Sequence, residues 1–456
     1  MTTKLIRNAD KIVTMDDKRN IFEDSSILIE DGKIKAIGKE ALNEDVEVDE
    51  VIDGKDKFIF PGLVNTHHHF YQTLTRCIPE VQNVELFQWL KFLYPIWANL
   101  TSEAVYTSSL VALGELLKTG CTTSSDHHYV FPQGVSGELI DRQIEAARKL
   151  GARFHPCRGS MSLGEDDGGL PPNSVIQSDE EILEDSQRLI EDYHDPDELS
   201  MCQIVLAPCS PFSVTSEIME ETVKLAREYE GVNCHTHLAE TEDENDFCQE
   251  AMGMRPLEYM ESVGWIGDDI WFAHGVHFNE EELDLLAKTS TGVAHCPVSN
   301  QKLASGIAKI PSMLERDIKV GLAVDGSASN DSSDMIGEMK SALLLHRVNG
   351  GIDAISPEEV LEMATRGGAR LLGRDDIGSL EPGKAADLFM VDKYRLGLAG
   401  AFHDPITALI TCGDSNVVDM TMVNGEIVVK EGKLVNVDER NLAKQANEIS
   451  KVMVNN

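Results

Sequence analysis

Between residues 60 and 377, apolar strand-like runs alternate with helix-like runs, and this limits the chain's fold more than any other feature. Helical spacing marks Ser102–Lys118, Asp141–Leu150, Asp179–Tyr193, Thr215–Tyr229, Asn279–Lys288, Met335–Arg347 and Pro357–Leu372. Between them lie β-like runs such as Gly120-Cys-Thr-Thr-Ser, Gln203-Ile-Val-Leu-Ala-Pro, Ile270-Trp-Phe-Ala-His and Val320-Gly-Leu-Ala-Val-Asp. Counting the run before His67, about eight β units alternate with helices, which predicts a parallel sheet closed into a (β/α)8, TIM-like barrel. Such a barrel gathers its chemistry at the C-terminal ends of its strands. The acidic, Gly/Pro-rich stretch Gly164–Asp179 reads as a loop over the barrel mouth.

The two ends of the chain have a different texture. Leu5-Ile-Arg-Asn-Ala-Asp-Lys-Ile-Val and Ser26-Ile-Leu-Ile-Glu are β-rich, and Asp31-Gly-Lys turns into Ile34-Lys-Ala-Ile-Gly. Leu388-Phe-Met-Val-Asp, Met420-Thr-Met-Val and Glu426-Ile-Val-Val-Lys repeat that pattern near the C-terminus. The economical reading is a small β-sandwich domain built from both termini, residues 1–59 and 378–456, around a barrel spanning 60–377.

Charge narrows the partners. The chain carries 78 acidic against 40 basic residues, a net charge of −38, which repels nucleic acid and anionic membrane surfaces. No stretch approaches the roughly 18 consecutive apolar residues of a membrane helix. The 9 cysteines are scattered without a Cys-x-x-Cys pair, so reduced thiols in a cytoplasmic protein are expected.

The polar residues fall at the predicted strand ends. Residues i and i+2 of a strand point the same way, so in Phe60-Pro-Gly-Leu-Val-Asn-Thr-His67-His68-His69 the outer two histidines can share a metal while His68 faces elsewhere. The fifth strand ends in His235-Thr-His237-Leu-Ala-Glu240, the sixth in His274 and the eighth in Asp325. Such groups are costly to bury unless paired or metal-bound. Three imidazoles and a carboxylate around one cation, without thiolate, suit zinc or ferrous iron. By the same alternation His235 points away from the metal and reads as a hydrogen-bonded core histidine.

These residues resemble the amidohydrolase superfamily, and more narrowly its metal-dependent deaminase and chlorohydrolase branch. The resemblance rests on Pro61-Gly-Leu-Val-Asn-Thr-His-His-His, His235-Thr-His-Leu-Ala-Glu, Phe272-Ala-His-Gly, His295-Cys-Pro-Val-Ser-Asn, Val324-Asp-Gly-Ser-Ala-Ser-Asn and Gly378-Ser-Leu-Glu-Pro-Gly-Lys-Ala-Ala-Asp-Leu. It implies one divalent metal, zinc first and iron also compatible, held by His67, His69, His237 and Asp325. A subset of the family bridges two metals with a carboxylated lysine on strand 4. No lysine occurs between Lys149 and Lys224, so a single metal is expected. Glu240, His274 and Asp325 are the expected catalytic residues. Asp325 takes a proton from water, His274 stabilises the attacked centre, and Glu240 delivers a proton to a ring nitrogen.

For the substrate, a small heterocycle, the candidates are Gln72, Trp89, His128 and Arg158. Gln72 offers a donor and an acceptor to a purine edge, Trp89 a stacking face, and Arg158 a cation at the end of a barrel strand. His127 and His128 form an ambiguous pair of which one faces the pocket, with His128 the candidate. The run from His67 to Arg76, with Ser125-Asp-His-His-Tyr and Arg158-Gly-Ser-Met-Ser-Leu-Gly, is most similar to 8-oxoguanine deaminases. That resemblance implies an aminohydrolase converting 8-oxoguanine to urate and ammonia. The alternatives are a hydroxyatrazine-type triazine amino- or chlorohydrolase, or a guanine, isocytosine or pterin deaminase. A non-catalytic structural barrel is the remote alternative, since such proteins lose metal ligands. Large barrels of the family are often oligomers, which leaves a homo-oligomer open without locating an interface.

Overall fold

In the computed structural model the eight β-like runs of the middle segment become eight parallel strands in sequential order. They are Leu63–Asn65, Cys121–His128, Arg153–Ser160, Val205–Pro208, Asn233–Leu238, Ile270–His274, Gly292–His295 and Val320–Leu322, numbered here as barrel strands one to eight. The structure describes residues 2–42, 47–135, 138–412 and 418–455. Every barrel-strand residue is buried except Asn233 and His237, which are partly covered, as befits strands coated by helices on one face and filled by side chains on the other. The eighth strand returns beside the first. There the Thr66 N–H donates to the Leu322 carbonyl at 3.2 Å, and the Val324 N–H to Asn65 Oδ1 at 2.9 Å.

The helices follow the expected spacing. Ser102–Lys118, Asp179–Tyr193 and Glu280–Thr289 are continuous, the last two each opened by a capping box on Ser178 or Asn279. The stretch read as one helix over Pro357–Leu372 is three pieces: Pro357–Glu362, a π-turn Met363–Gly367, and Gly368–Leu371. Glycine explains the break. A Cβ on Gly367 would lie 2.4 Å from the Val320 carbonyl oxygen, and one on Gly368 would lie 2.9 Å from Val64 Cβ. The helix thus presses its backbone against the first and eighth strands, where any larger residue collides.

Both termini contribute to one nine-stranded mixed sheet. Thr3–Val13 pairs with Ile21–Glu30 and with Lys57–Pro61, which in turn pairs antiparallel with Leu388–Asp392. The sheet curls over on itself. The Ile34 N–H donates to the Lys384 carbonyl and the Gly383 N–H to the Ile34 carbonyl, both at 2.8 Å. Ile6, Ile12, Ile27 and Ile29 from one end meet Leu388, Met390 and Met422 from the other in its enclosed core. The C-terminal segment also carries the helix Glu439–Asn455, which leaves the sheet to pack on Ser102–Lys118 through the Lys118–Glu439 ion pair at 2.6 Å. Among the described residues no helix is long and apolar enough to cross a membrane, and all nine cysteines are unpaired.

Candidate active site

The hydrogen bonds behind each histidine set its tautomer, and the tautomers reveal what the site requires. His235 Nδ1 donates to the Trp271 carbonyl at 3.0 Å, so His235 Nε2 is an acceptor, and it takes the Nδ1 proton of His67 at 2.7 Å. His69 Nδ1 donates to the His127 carbonyl at 2.7 Å, and His237 Nδ1 to the Cys209 carbonyl at 2.6 Å. Each Nε2 is left with a bare lone pair. These three lone pairs converge with the Asp325 carboxylate: His67 and His69 Nε2 each lie 3.3 Å from Asp325 Oδ1, and His69 and His237 Nε2 lie 3.1 Å apart. Lone pairs and an anion at such spacing repel unless a cation sits among them. Bonds of about 2.0–2.1 Å in a tetrahedral site place ligand atoms about 3.3–3.4 Å apart, the spacing found. His67 Nε2 is also buried without a hydrogen-bond partner. The donor set therefore fits a divalent metal ion.

Electrostatics agree with that fit. Burial drives the three imidazoles below the usual histidine range, and so towards the neutral form that ligates metal. Burial alone would raise the Asp325 carboxyl, but His67, His274 and His69 hold it well below the usual carboxylate range. Asp325 Oδ2 accepts from Ser299 and Ser329 hydroxyls at 2.6 and 3.1 Å, and Oδ1 from the Gly326 N–H at 2.6 Å. His68 turns the other way and bonds Ser333 Oγ at 2.9 Å.

Glu240 and His274 flank this cluster. His274 Nδ1 donates to Asn300 Oδ1 at 2.9 Å, which aims Nε2 at Glu240 Oε2, 3.5 Å away. Burial raises the Glu240 carboxyl, against the pull of His274. Burial lowers His274, but Glu240, Asp325 and Asn300 outweigh it and leave the imidazole raised. The backbone here is strained: Ala239, His274 and Asp325 hold φ of 55°, 72° and 62°, left-handed values uncommon outside glycine. These kinks turn the chain out of the barrel strands and throw the side chains over the mouth.

A cavity opens directly above. His69, His237, Glu240, His274 and Asp325 form its polar floor, and Leu86, Trp89, Leu90, Phe212 and Leu303 its apolar walls. Gln72 and Trp89 line it as expected. Gln72 Oε1 accepts from the Ala328 N–H at 3.3 Å, which turns its amide NH₂ towards other partners. Trp89 serves packing as well, meeting Trp97 edge-on at 5.4 Å.

Two expected substrate contacts are elsewhere. Arg158 faces outward from the third strand. Its guanidinium bonds Asp185 Oδ2 and Gln177 Oε1, both at 3.0 Å, and the Gly159 carbonyl, and it lies over the Phe131 ring. His128 also points out of the barrel, edge-on to Tyr71 and Phe131. Its neighbour His127 is the inward one, stacked on His237 and bonded through Nε2 to the Ala207 carbonyl at 2.6 Å. Strand alternation makes one of each neighbouring pair inward, and in both strands it is the residue before the one expected.

Cys209, Tyr94, Tyr129, Ser329 and Glu244 line the cavity without having been singled out. For Glu244 a signal existed. It lies four residues after Glu240 in the first turn of the next helix, where a side chain reaches back over the preceding backbone. Its Oε2 accepts from the Glu240 N–H at 2.9 Å. Burial pushes its carboxyl up to about 7, against the pull of the Glu240 and Ala239 N–H groups.

Similarity to known proteins agrees with this geometry. An 8-oxoguanine deaminase from Pseudomonas aeruginosa is 49% identical over 412 residues, 90% of this chain and 91% of that protein. A hydroxydechloroatrazine ethylaminohydrolase from Pseudomonas sp. strain ADP is 37% identical over 98% of this chain and 95% of its own length. The crystal structure of an atrazine chlorohydrolase from Arthrobacter aurescens complexed with zinc superposes with a TM-score of 0.93, at 32% identity, covering 98% of this chain and 100% of that one. The amidohydrolase family signature matches residues 58–428. With that match and these relatives, the chain belongs to the amidohydrolase family.

Proposed function

We propose that this enzyme hydrolyses the 2-amino group of 8-oxoguanine, giving urate and ammonia. The observation that carries the choice of substrate is the 49% identity to an 8-oxoguanine deaminase across nine-tenths of the chain. The cavity is compatible with a flat, polar-edged heterocycle, having apolar walls, an aromatic face at Trp89 and an amide at Gln72. We further propose that His67, His69, His237 and Asp325 hold one zinc ion, a reading supported by the zinc complex of the structural relative. Zinc, when bound, lowers the pKa of a coordinated water from 15.7 to about 7.

The chain's own groups do the rest. Asp325 accepts the proton of the attacking water. Glu240, on the floor of the cavity, gives a proton to the ring nitrogen next to the attacked carbon. His274 Nε2 faces that centre and steadies the charge developing on the oxygen. Asp325 then passes its proton to the amino group, which departs as ammonia as the C–N bond breaks, and the proton of the added hydroxyl returns to Glu240 as the carbonyl forms. Each placed acid or base is typically worth about 10²–10⁴-fold in rate.

A triazine substrate is the second reading, favoured by the ethylaminohydrolase at 37% identity and by the chlorohydrolase structure. A screen that reads ammonia, alkylamine and chloride release, over 8-oxoguanine, guanine, isocytosine, pterins and amino-, alkylamino- and chlorotriazines, decides between them. 8-Oxoguanine is expected to give the highest kcat/KM. Turnover of triazines with none of purines overturns the proposal.

A further inference from the structure

The catalytic scheme leaves one buried acid in the cavity without work. Glu244 is 1% exposed, and its two carboxyl oxygens have different surroundings. Oε2 is committed to the Glu240 backbone N–H at 2.9 Å. Oε1 is buried and has no hydrogen-bond partner among the described residues, although it belongs to a side chain that lines the site. A buried acceptor left unpaired costs about 1–3 kcal/mol, more when charged, so a native site keeps one only where something else meets it. The carboxyl cannot turn away to find a partner. It is anchored at its other oxygen, and its Cα is fixed in the first turn of the helix Glu242–Met252. The residue lines the cavity, where a bound heterocycle can supply the missing partner.

We propose that Glu244 is a specificity-determining residue, whose Oε1 accepts a hydrogen bond from a ring N–H of the bound heterocycle, distinct from the amidine nitrogen served by Glu240. The inference deepens the deaminase reading above and rests on it for the substrate class. It predicts a preference for heterocycles with a second N–H donor on the side of the helix Glu242–Met252. An oxopurine carries several ring N–H groups and meets this requirement. A fully aromatic triazine has ring nitrogens that only accept, so it would leave Glu244 unpaired. Sites built to hydrogen-bond a donor reject analogues lacking it far more strongly than apolar pockets reject a missing methylene.

The test is a set of substrate ratios measured on the zinc-loaded enzyme. Wild type, Glu244→Gln and Glu244→Leu are compared on 8-oxoguanine and on its analogues methylated singly at each ring nitrogen. Metal content is measured for every preparation. In the wild type, measured above about pH 8 where the Glu244 carboxyl is ionised, one methylated analogue is expected to fall by about 10–100-fold in kcat/KM, the worth of a hydrogen bond to a charged group. In Glu244→Leu the parent should fall by a similar factor while that analogue does not, so the ratio collapses to within about threefold. In Glu244→Gln the amide oxygen stays on the Glu240 N–H and the NH₂ faces the cavity. A donor then replaces an acceptor, and the parent's advantage should be lost with metal retained. A uniform fall over all analogues would mean that Glu244 only holds the Glu240 backbone, and would overturn the proposal. So would a wild-type ratio preserved in both variants. If wild type fails on 8-oxoguanine, the choice of that substrate falls. The same ratios, run on N-methyl analogues of whichever heterocycle releases ammonia, still decide the role of Glu244.

Discussion

Replacing Arg158 by methionine separates two roles that one arginine at a barrel strand end could play. The side chain is wholly buried, and three of its contacts vanish together: Asp185 at 3.0 Å, Gln177 at 3.0 Å and the Gly159 carbonyl. Removing one partner of a buried ion pair costs about 3–5 kcal/mol when the other charge is orphaned. Asp185 is not orphaned, because Arg188 also reaches it, at 2.8 and 3.1 Å, and its side chain is 16% exposed. The expected loss is therefore nearer 2–3 kcal/mol, read from the urea midpoint of the barrel's unfolding by circular dichroism. Methionine fills the apolar stem and keeps contact with Phe131, so overpacking adds little. Because Arg158 lies outside the cavity, KM and kcat per metal-loaded site should stay within about twofold of wild type, a difference under 0.5 kcal/mol. Asp185→Asn should lower stability in the same direction, again without a change in KM. A tenfold rise in KM at unchanged urea midpoint would refute the reasoning and return Arg158 to substrate contact.

Three further outcomes follow from the site and its frame. Glu240→Gln should keep its metal and lose about 10²–10⁴-fold in kcat; retained turnover would remove Glu240 from proton transfer. Chelation should abolish activity and lower the melting temperature, because four converging donors lose their common partner, and zinc should restore both. An enzyme indifferent to chelators and free of bound metal would overturn the metal site. Asp376 gives a pH prediction. Burial would raise its carboxyl, but the Arg374 guanidinium at 2.8 Å holds it at about 2, below the ordinary 3.8. Its contribution is thus present above about pH 4 and lost as pH falls towards 2, and Asp376→Asn should make that acid limb shallower by about 1 kcal/mol after solvent screening. An unchanged limb between pH 4 and 2 would show that the pair adds nothing.

Much of the site was legible in the chain because its signals are local or ordinal. His67 and His69 share a side by strand alternation. His237, Glu240, His274 and Asp325 each sit where an apolar run ends, which is where a barrel presents its chemistry. The same rule could not orient the second and third strands. Alternation has a period of two but no origin, so either His127 or His128, and either Cys157 or Arg158, could face inward. The packing of helices outside the barrel decides, and Asp185 on the helix Asp179–Tyr193 draws Arg158 outward. Helix extents were read well except over Pro357–Leu372, where the press of Gly367 and Gly368 against the barrel breaks the helical period.

The sequence by itself determined the β/α alternation, the return of β structure at both termini and the order of the candidate metal ligands. Periodicity and residue chemistry are properties of short stretches, and they survive without knowing what lies opposite. Only the tertiary structure decided the tautomers, through carbonyls of His127, Cys209 and Trp271 that come from strands remote in sequence. It also decided that Glu244 faces the cavity with one oxygen unspent. Those outcomes depend on contacts between segments far apart in the chain, which no local pattern in the sequence encodes.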